Sequence, residues 1–185
     1  MNDVPSVPLI TTDALERSFR TTDIEPLASL CRAQGRRAVG IDGFSGVGKS
    51  TLATALSEAL DVALISLDDF LPDSPESMTV QSYVDRLDRD RLRRAIERAR
   101  CTIVEGVLLR DALAGIIARK ELTALYYMAC SSPTGGALIW NDGFEISDEA
   151  TSAAPNWLDR SIIEYHRRER PYADADALVI RVSSD

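Results

Sequence analysis

AVGIDGFSGVGKST, running from Ala38 to Thr51, opens as a short apolar run and closes on a lysine and two hydroxyls, with Gly43, Gly46 and Gly48 between them. Gly43–Ser50 satisfies G-x-x-x-x-G-K-[ST] at every fixed position. Each residue type there has a physical task. Glycines admit backbone angles that a β-carbon forbids, and they let main-chain N–H groups approach an anion closely. Those groups, on Gly43, Ser45, Gly46, Val47, Gly48 and Thr51, join the positive end of the following helix to make a phosphate cradle. Lys49 is placed to reach the outer phosphates as a compact charge, and Ser50 to offer its hydroxyl to Mg²⁺. A plain Gly-rich turn needs the glycines but has no use for the Lys-Ser pair. The chain holds two lysines, Lys49 and Lys120, and one of them stands in this loop.

Outward from the loop, the pattern alternates. Residues 1–12 are proline-rich and read as a loose N-terminal arm. A helix is expected from Thr12 or Asp13 to Gln34, interrupted near Pro26 and ended at Gly35. Ala38–Asp42 reads as a buried strand and Lys49–Leu60 as a helix. Val62–Leu67, Cys101–Glu105, Leu122–Ala129 and Ala177–Val182 read as four further strands. Helices are expected over about 82–100, 108–119 and 157–170, with a loop over 72–80. Ser131–Asn156, rich in Ser, Gly, Pro and Asp, carries no clear period. Apolar strands alternating with helices imply an α/β class, with a parallel sheet covered on both faces. Residues 13–185 are expected to form one domain, its first helix preceding the loop strand.

Composition narrows the function classes. At 185 residues, 45% apolar and 27% charged, the chain suits a single domain with a sizeable core. Its 21 Lys and Arg stand against 29 Asp and Glu, a net charge of −8. That sign argues against coating nucleic acid or an anionic membrane, which takes a basic face. Residues 85–100 hold an Arg-rich stripe, but without the interleaved aromatics on which bases stack. No apolar run nears the roughly 20 residues of a membrane span. Met1–Pro8 lacks the basic start and apolar stretch of a signal peptide, so a cytoplasmic protein is expected. Cys31, Cys101 and Cys130 show no C-x-x-C spacing and read as buried apolar residues. His166, the single histidine, allows no His cluster for a metal and is expected to pack or cap within its Arg-rich helix.

In open α/β sheets, ligands sit beyond the carboxyl ends of the strands. The loop marks that edge, so acids at other strand ends converge on it. Asp68 follows the second strand and is placed to accept a proton from an attacking hydroxyl, or to orient it. Asp69 is its substitute and a candidate substrate contact; both also suit a turn or helix cap. Glu105, in Ile103-Val104-Glu105-Gly106-Val107, follows the third strand and suits a Mg²⁺-bound water, because a hard cation prefers oxygen ligands.

These segments resemble the uridine kinase and phosphoribulokinase group of P-loop kinases. GFSGVGKST is similar to its phosphate loop, Ser66-Leu67-Asp68-Asp69-Phe70 to its S-x-D-x-F segment, and TIVEGVLL to its V-E-G segment. Tyr165–Ile180 is similar to its C-terminal stretch. The likeness covers about Ala38–Val182. It implies a P-loop NTPase fold of three layers with a mostly parallel five-stranded sheet and a lid. It also implies ATP and Mg²⁺ as cofactors, and phosphorylation of a hydroxyl on a nucleoside, sugar or related metabolite. By resemblance, Asp68 is the catalytic base and Glu105 belongs to the metal or substrate neighbourhood. Asp85 and Arg86 stand where acceptors bind, although alternating charges there also suit a solvated helix.

The chain departs from the family after the fourth strand, where lid arginines are common. Cys130–Asn141 contains no arginine or lysine. Arg160, Arg167, Arg168 and Arg170 are the nearest replacements, with Arg160 assigned to the transferring phosphoryl group and Arg168 to substrate. Arg160 also lies one turn before Glu164, spaced for a helix ion pair. A nucleotide-binding regulatory protein without turnover is the competing expectation. A GTPase is weaker, because N-K-x-D is absent. A homodimer is left open.

Overall fold

The computed structural model describes residues 18–20, 22–72, 82–131, 139–140, 152, 154 and 156–183. The strands are β1 (Ser18–Arg20), β2 (Ala38–Asp42), β3 (Ala63–Ser66), β4 (Thr102–Glu105), β5 (Leu122–Ser131), β6 (Ile139–Trp140) and β7 (Ala177–Ser183). The helices are α1 (Ile24–Gln34), α2 (Lys49–Leu60), α3 (Tyr83–Arg86), α4 (Arg89–Arg98), α5 (Leu109–Leu113) and α6 (Trp157–Glu169). The sheet runs β1-β7-β5-β2-β4-β3, every neighbouring pair on that path parallel, while β6 pairs antiparallel with β5.

Strand β2 is central, and all five of its residues are buried. A strand covered on both faces has to be apolar throughout, which is why Ala38–Ile41 does not alternate. The chain leaves β2 through α2 toward β3 and β4 on one side. It returns from β4 through α5 to β5 on the other. This reversal opens a crevice beyond the carboxyl end of β2, where ligands of such sheets bind. Helix α2 buries Leu52, Ala53 and Leu56 against the sheet, each leucine contributing about 1.5–3 kcal/mol. Among the described residues no helix is long and apolar enough to cross a membrane.

Four expectations need correction. The sheet has six parallel strands rather than five, because Ser18–Arg20 lies beside β7, with Ser18 opposite Leu178 and Arg20 opposite Ile180. The first helix therefore starts at Ile24, not near residue 13. Pro26 explains the start: in the first turn its missing N–H costs nothing, whereas deep inside a longer helix it would break the ladder. The helix expected over 82–100 is two helices, divided at Leu87 and Asp88. Asp88 donates its N–H to Phe70 O at 2.9 Å, and its carboxylate caps α4 by accepting from Arg91 N at 2.9 Å. The helix expected over 108–119 ends at Leu113, followed by a turn that carries Gly115 at φ 72°. The long stretch without a clear period lies almost wholly outside the described residues.

Candidate functional site

The loop between β2 and α2 is built from its first residue. Asp42 Oδ1 accepts the Gly43 N–H at 2.8 Å. A β-carbon on Gly43, at φ 150°, would stand 2.4 Å from Tyr127 O, so the chain passes β5 too closely for any side chain. Gly48 turns into α2 at φ 110°. Lys49 is buried, and its Nζ donates to Phe44 O at 2.6 Å, which folds the ammonium back over the loop. The loop's backbone, the start of α2 and the lysine's charge thus lie close together.

Glu105 stands beside Ser50. Its Oε1 accepts from Ser66 Oγ at 2.6 Å and from Ser50 Oγ at 3.3 Å. The structure thus brings two sequence-predicted residues together, since Ser50 opens α2 and Glu105 ends β4. Their oxygens form a donor pair of the hard kind that suits Mg²⁺. One strand further, Leu67–Phe70 forms a 3-10 turn after β3. There Asp68 accepts the Tyr83 hydroxyl on Oδ1 at 2.7 Å. Burial, then the Asp68 hydrogen bond and the Asp68 and Glu105 charges, raise the Tyr83 pKa well above the ordinary phenol value. Tyr83 therefore stays a donor, and the carboxylates of β3 and β4 share its neighbourhood. Asp69 is exposed in the same turn.

Behind the loop lies a buried polar network. Tyr165 Oη donates to Asp42 Oδ2 and accepts the Arg110 N–H at 3.2 Å. Burial pushes the Asp42 carboxyl up to about 6 even though Tyr165, Gly43 and Lys49 favour its charge. His166 stacks on Phe44 of the loop, ring centroids 4.2 Å apart and planes 12° from parallel. Its Nδ1 faces Ile162 O at 2.7 Å, and a carbonyl only accepts. Nδ1 therefore carries the proton, and Nε2 accepts from the Tyr126 hydroxyl at 2.8 Å. Burial lowers its pKa to about 4, so the ring is neutral at pH 7. The histidine packs, as its place in the sequence suggests.

The remaining predicted residues scatter. Asp85 and Arg168 line one cavity of about 340 Å³ with Leu108, Asp111, Glu164 and Tyr165. Val84 also lines it, and Tyr165 is the residue it shares with the network behind the loop. Leu108 sits at φ 52°, a strained angle for a branched side chain. Arg168 is paired with Asp111 and with Glu169. Arg86 stacks over Trp157, 5.9 Å from the ring centroid. Arg160 is exposed near the start of α6, and no ion pair joins it to Glu164. A larger cavity of about 580 Å³, around Arg37, Asp61 and Cys101, opens at the amino ends of the strands, away from the loop.

No protein-family model matches this chain, and no curated protein matches it in sequence. Among solved structures, that of a possible uridine kinase from Bacillus stearothermophilus aligns with TM-score 0.50 and 17% identity. The alignment covers 84% of this chain and 96% of that one. The fold is P-loop NTPase-like. At that identity the likeness speaks for architecture, and the chemistry has to be argued from the side chains present.

Sequence reasoning gave no role to Asp42 or Arg181, and it quoted Tyr165 only within the C-terminal stretch that resembles the family. Asp42 left a signal, a carboxylate ending an otherwise apolar strand. Arg181 left another, a cation inside Ala-Leu-Val-Ile-Arg-Val. Tyr165 left none, because nothing local ties α6 to β2.

Proposed function

We propose that this protein is a small-molecule kinase, transferring the γ-phosphoryl group of ATP to a hydroxyl of a nucleoside, a sugar or a related metabolite. One observation carries the reading. The Ser50–Glu105 pair stands at the mouth of a loop that matches the phosphate-binding pattern, and Asp68 stands on the adjoining strand end with one oxygen already held.

Loop N–H groups from Gly43 to Thr51 and the Lys49 ammonium hold the anionic oxygens of the nucleotide. The Ser50 hydroxyl and the Glu105 carboxylate would hold Mg²⁺ with their oxygens. When bound, Mg²⁺·ATP supplies the phosphoryl group and screens its charge. Tyr83 occupies Asp68 Oδ1, which leaves Oδ2 to accept the acceptor's hydroxyl proton. The cavity of about 340 Å³ seats the acceptor, where Asp85, Glu164 and Arg168 read its polar groups. Positioning and electrostatics do most of the work in such loose transition states. The likeness to a possible uridine kinase gives nucleosides first place among acceptors to try.

Purified protein is incubated with Mg²⁺·ATP and a panel of nucleosides, sugars and vitamin precursors, and ADP release is followed. One acceptor turns over, and Asp68→Ala lowers kcat by about 10²–10⁴ while nucleotide affinity stays within about threefold. If ATP binds but no acceptor turns over and Asp68→Ala changes nothing, the regulatory nucleotide-binding alternative replaces this one.

A further inference from the structure

A phosphate clamp needs more than one cation, and Cys130–Asn141 offers none. Strand β7 supplies one from an unexpected direction. In register, Val179 pairs with Tyr127 and Arg181 with Ala129. Side chains alternate along a strand, so Arg181 lies on the same face as Val179 and Tyr127. Val179 is buried, while Arg181, two residues on, is exposed past the edge of the core. Its Nη1 lies 3.8 Å from where a β-carbon on Gly48 would stand, and Tyr127 Oη lies 3.2 Å from the same point. Among the described residues Arg181 forms no ion pair.

Sheet order says which part of a ligand this cation meets. The loop rises from β2. Glu105, Ser66 and Asp68 lie on its β4–β3 side, and Tyr127 and Arg181 on its β5–β7 side. Acids bracket the loop on one flank and a guanidinium on the other. Transfer to an acceptor takes place on the acidic flank, so the opposite flank faces the portion of the nucleotide that stays behind. A planar guanidinium matches phosphate oxygens in two-pronged fashion.

We propose that Arg181 is a nucleotide-binding residue that pairs with phosphate oxygens of the nucleoside diphosphate portion, beside Gly48. The inference rests on reading the loop as a nucleotide site. Calorimetric titration of the full chain with Mg²⁺·ADP and with a non-hydrolysable ATP analogue tests it, using wild type, Lys49→Ala, Arg181→Ala, Arg181→Gln and Arg181→Lys.

The expected result is about tenfold weaker binding of both nucleotides to Arg181→Ala and Arg181→Gln, with part of the loss restored in Arg181→Lys. Because Arg181 is exposed, the melting temperature of the nucleotide-free variants stays that of wild type. Arg181→Gln binding both nucleotides as wild type does, while Lys49→Ala has lost them, overturns the Arg181 assignment and leaves the kinase reading standing. Wild type binding neither nucleotide overturns the loop reading, and this inference with it.

Discussion

Glu105 carries two hydroxyl hydrogen bonds on one oxygen, from Ser50 and Ser66. A carboxylate buried at a strand end has to be satisfied, and two serine hydroxyls satisfy it while leaving it a hard oxygen ligand. Glu105→Gln keeps both hydrogen bonds through the amide oxygen and removes the charge. The Mg²⁺ concentration giving half-maximal turnover is expected to rise about tenfold, as a single charged contact is lost, with little change in melting temperature. A Mg²⁺ titration at saturating ATP measures it, and an unchanged midpoint would show that Glu105 has no part in the metal site. Lys49 and Ser50 were legible at this scale, because their meaning depends on neighbours one or two positions away. Arg168 was legible as a cation but not as one tied to Asp111 and Glu169.

At the scale of elements, the joint between β2, the loop and α6 is the least expected feature. Asp42 and His166 both touch the loop, at Gly43 and Phe44, and their titrations oppose each other. Asp42 is raised from 3.8 to about 6, so the fold binds that proton more tightly than the unfolded chain. Its contribution is full below pH 3.8 and is lost as pH rises through 6. His166 is lowered from 6.5 to about 4, so its contribution is full above pH 6.5 and is lost as pH falls through 4. Over pH 4–6 the two slopes cancel, and wild-type stability is expected to stay nearly level there. Asp42→Asn keeps the bond to Gly43 N–H and removes the aspartate's slope. The variant should then lose stability on acidification from pH 6.5 to 4, on the order of 3 kcal/mol at about 1.4 kcal/mol per tenfold change in proton affinity. Urea midpoints at half-unit pH steps report this, and parallel curves for the two proteins would refute it. The same scale shows why three helix boundaries escaped the sequence pattern. Ser82 and Asp88 are both N-caps, so an apparently continuous Arg-rich helix is two short ones.

For the molecule as a whole, the sheet gathers the loop, Glu105 and Asp68 at one edge and leaves them separated in sequence. A ligand that binds there and not to the unfolded chain stabilises the fold by mass action. At a hundred times its dissociation constant, Mg²⁺·ATP should add about 2.7 kcal/mol, roughly 5–10 °C in melting temperature for a chain this size. Thermal unfolding with and without nucleotide reads the shift, and its absence would leave a P-loop NTPase-like fold without a nucleotide. The sequence by itself determined the α/β class, the phosphate-loop pattern and the acids at the ends of β3 and β4. These rest on short-range periodicity and on local turn chemistry, which any stretch of about ten residues displays. Only the tertiary structure decided that Ser18–Arg20 extends the sheet beside β7, that Tyr165 bonds Asp42 across 123 positions, and that Arg181 flanks Gly48. Those contacts depend on which strands become neighbours, and sheet order is set by packing the whole core at once rather than by any local pattern.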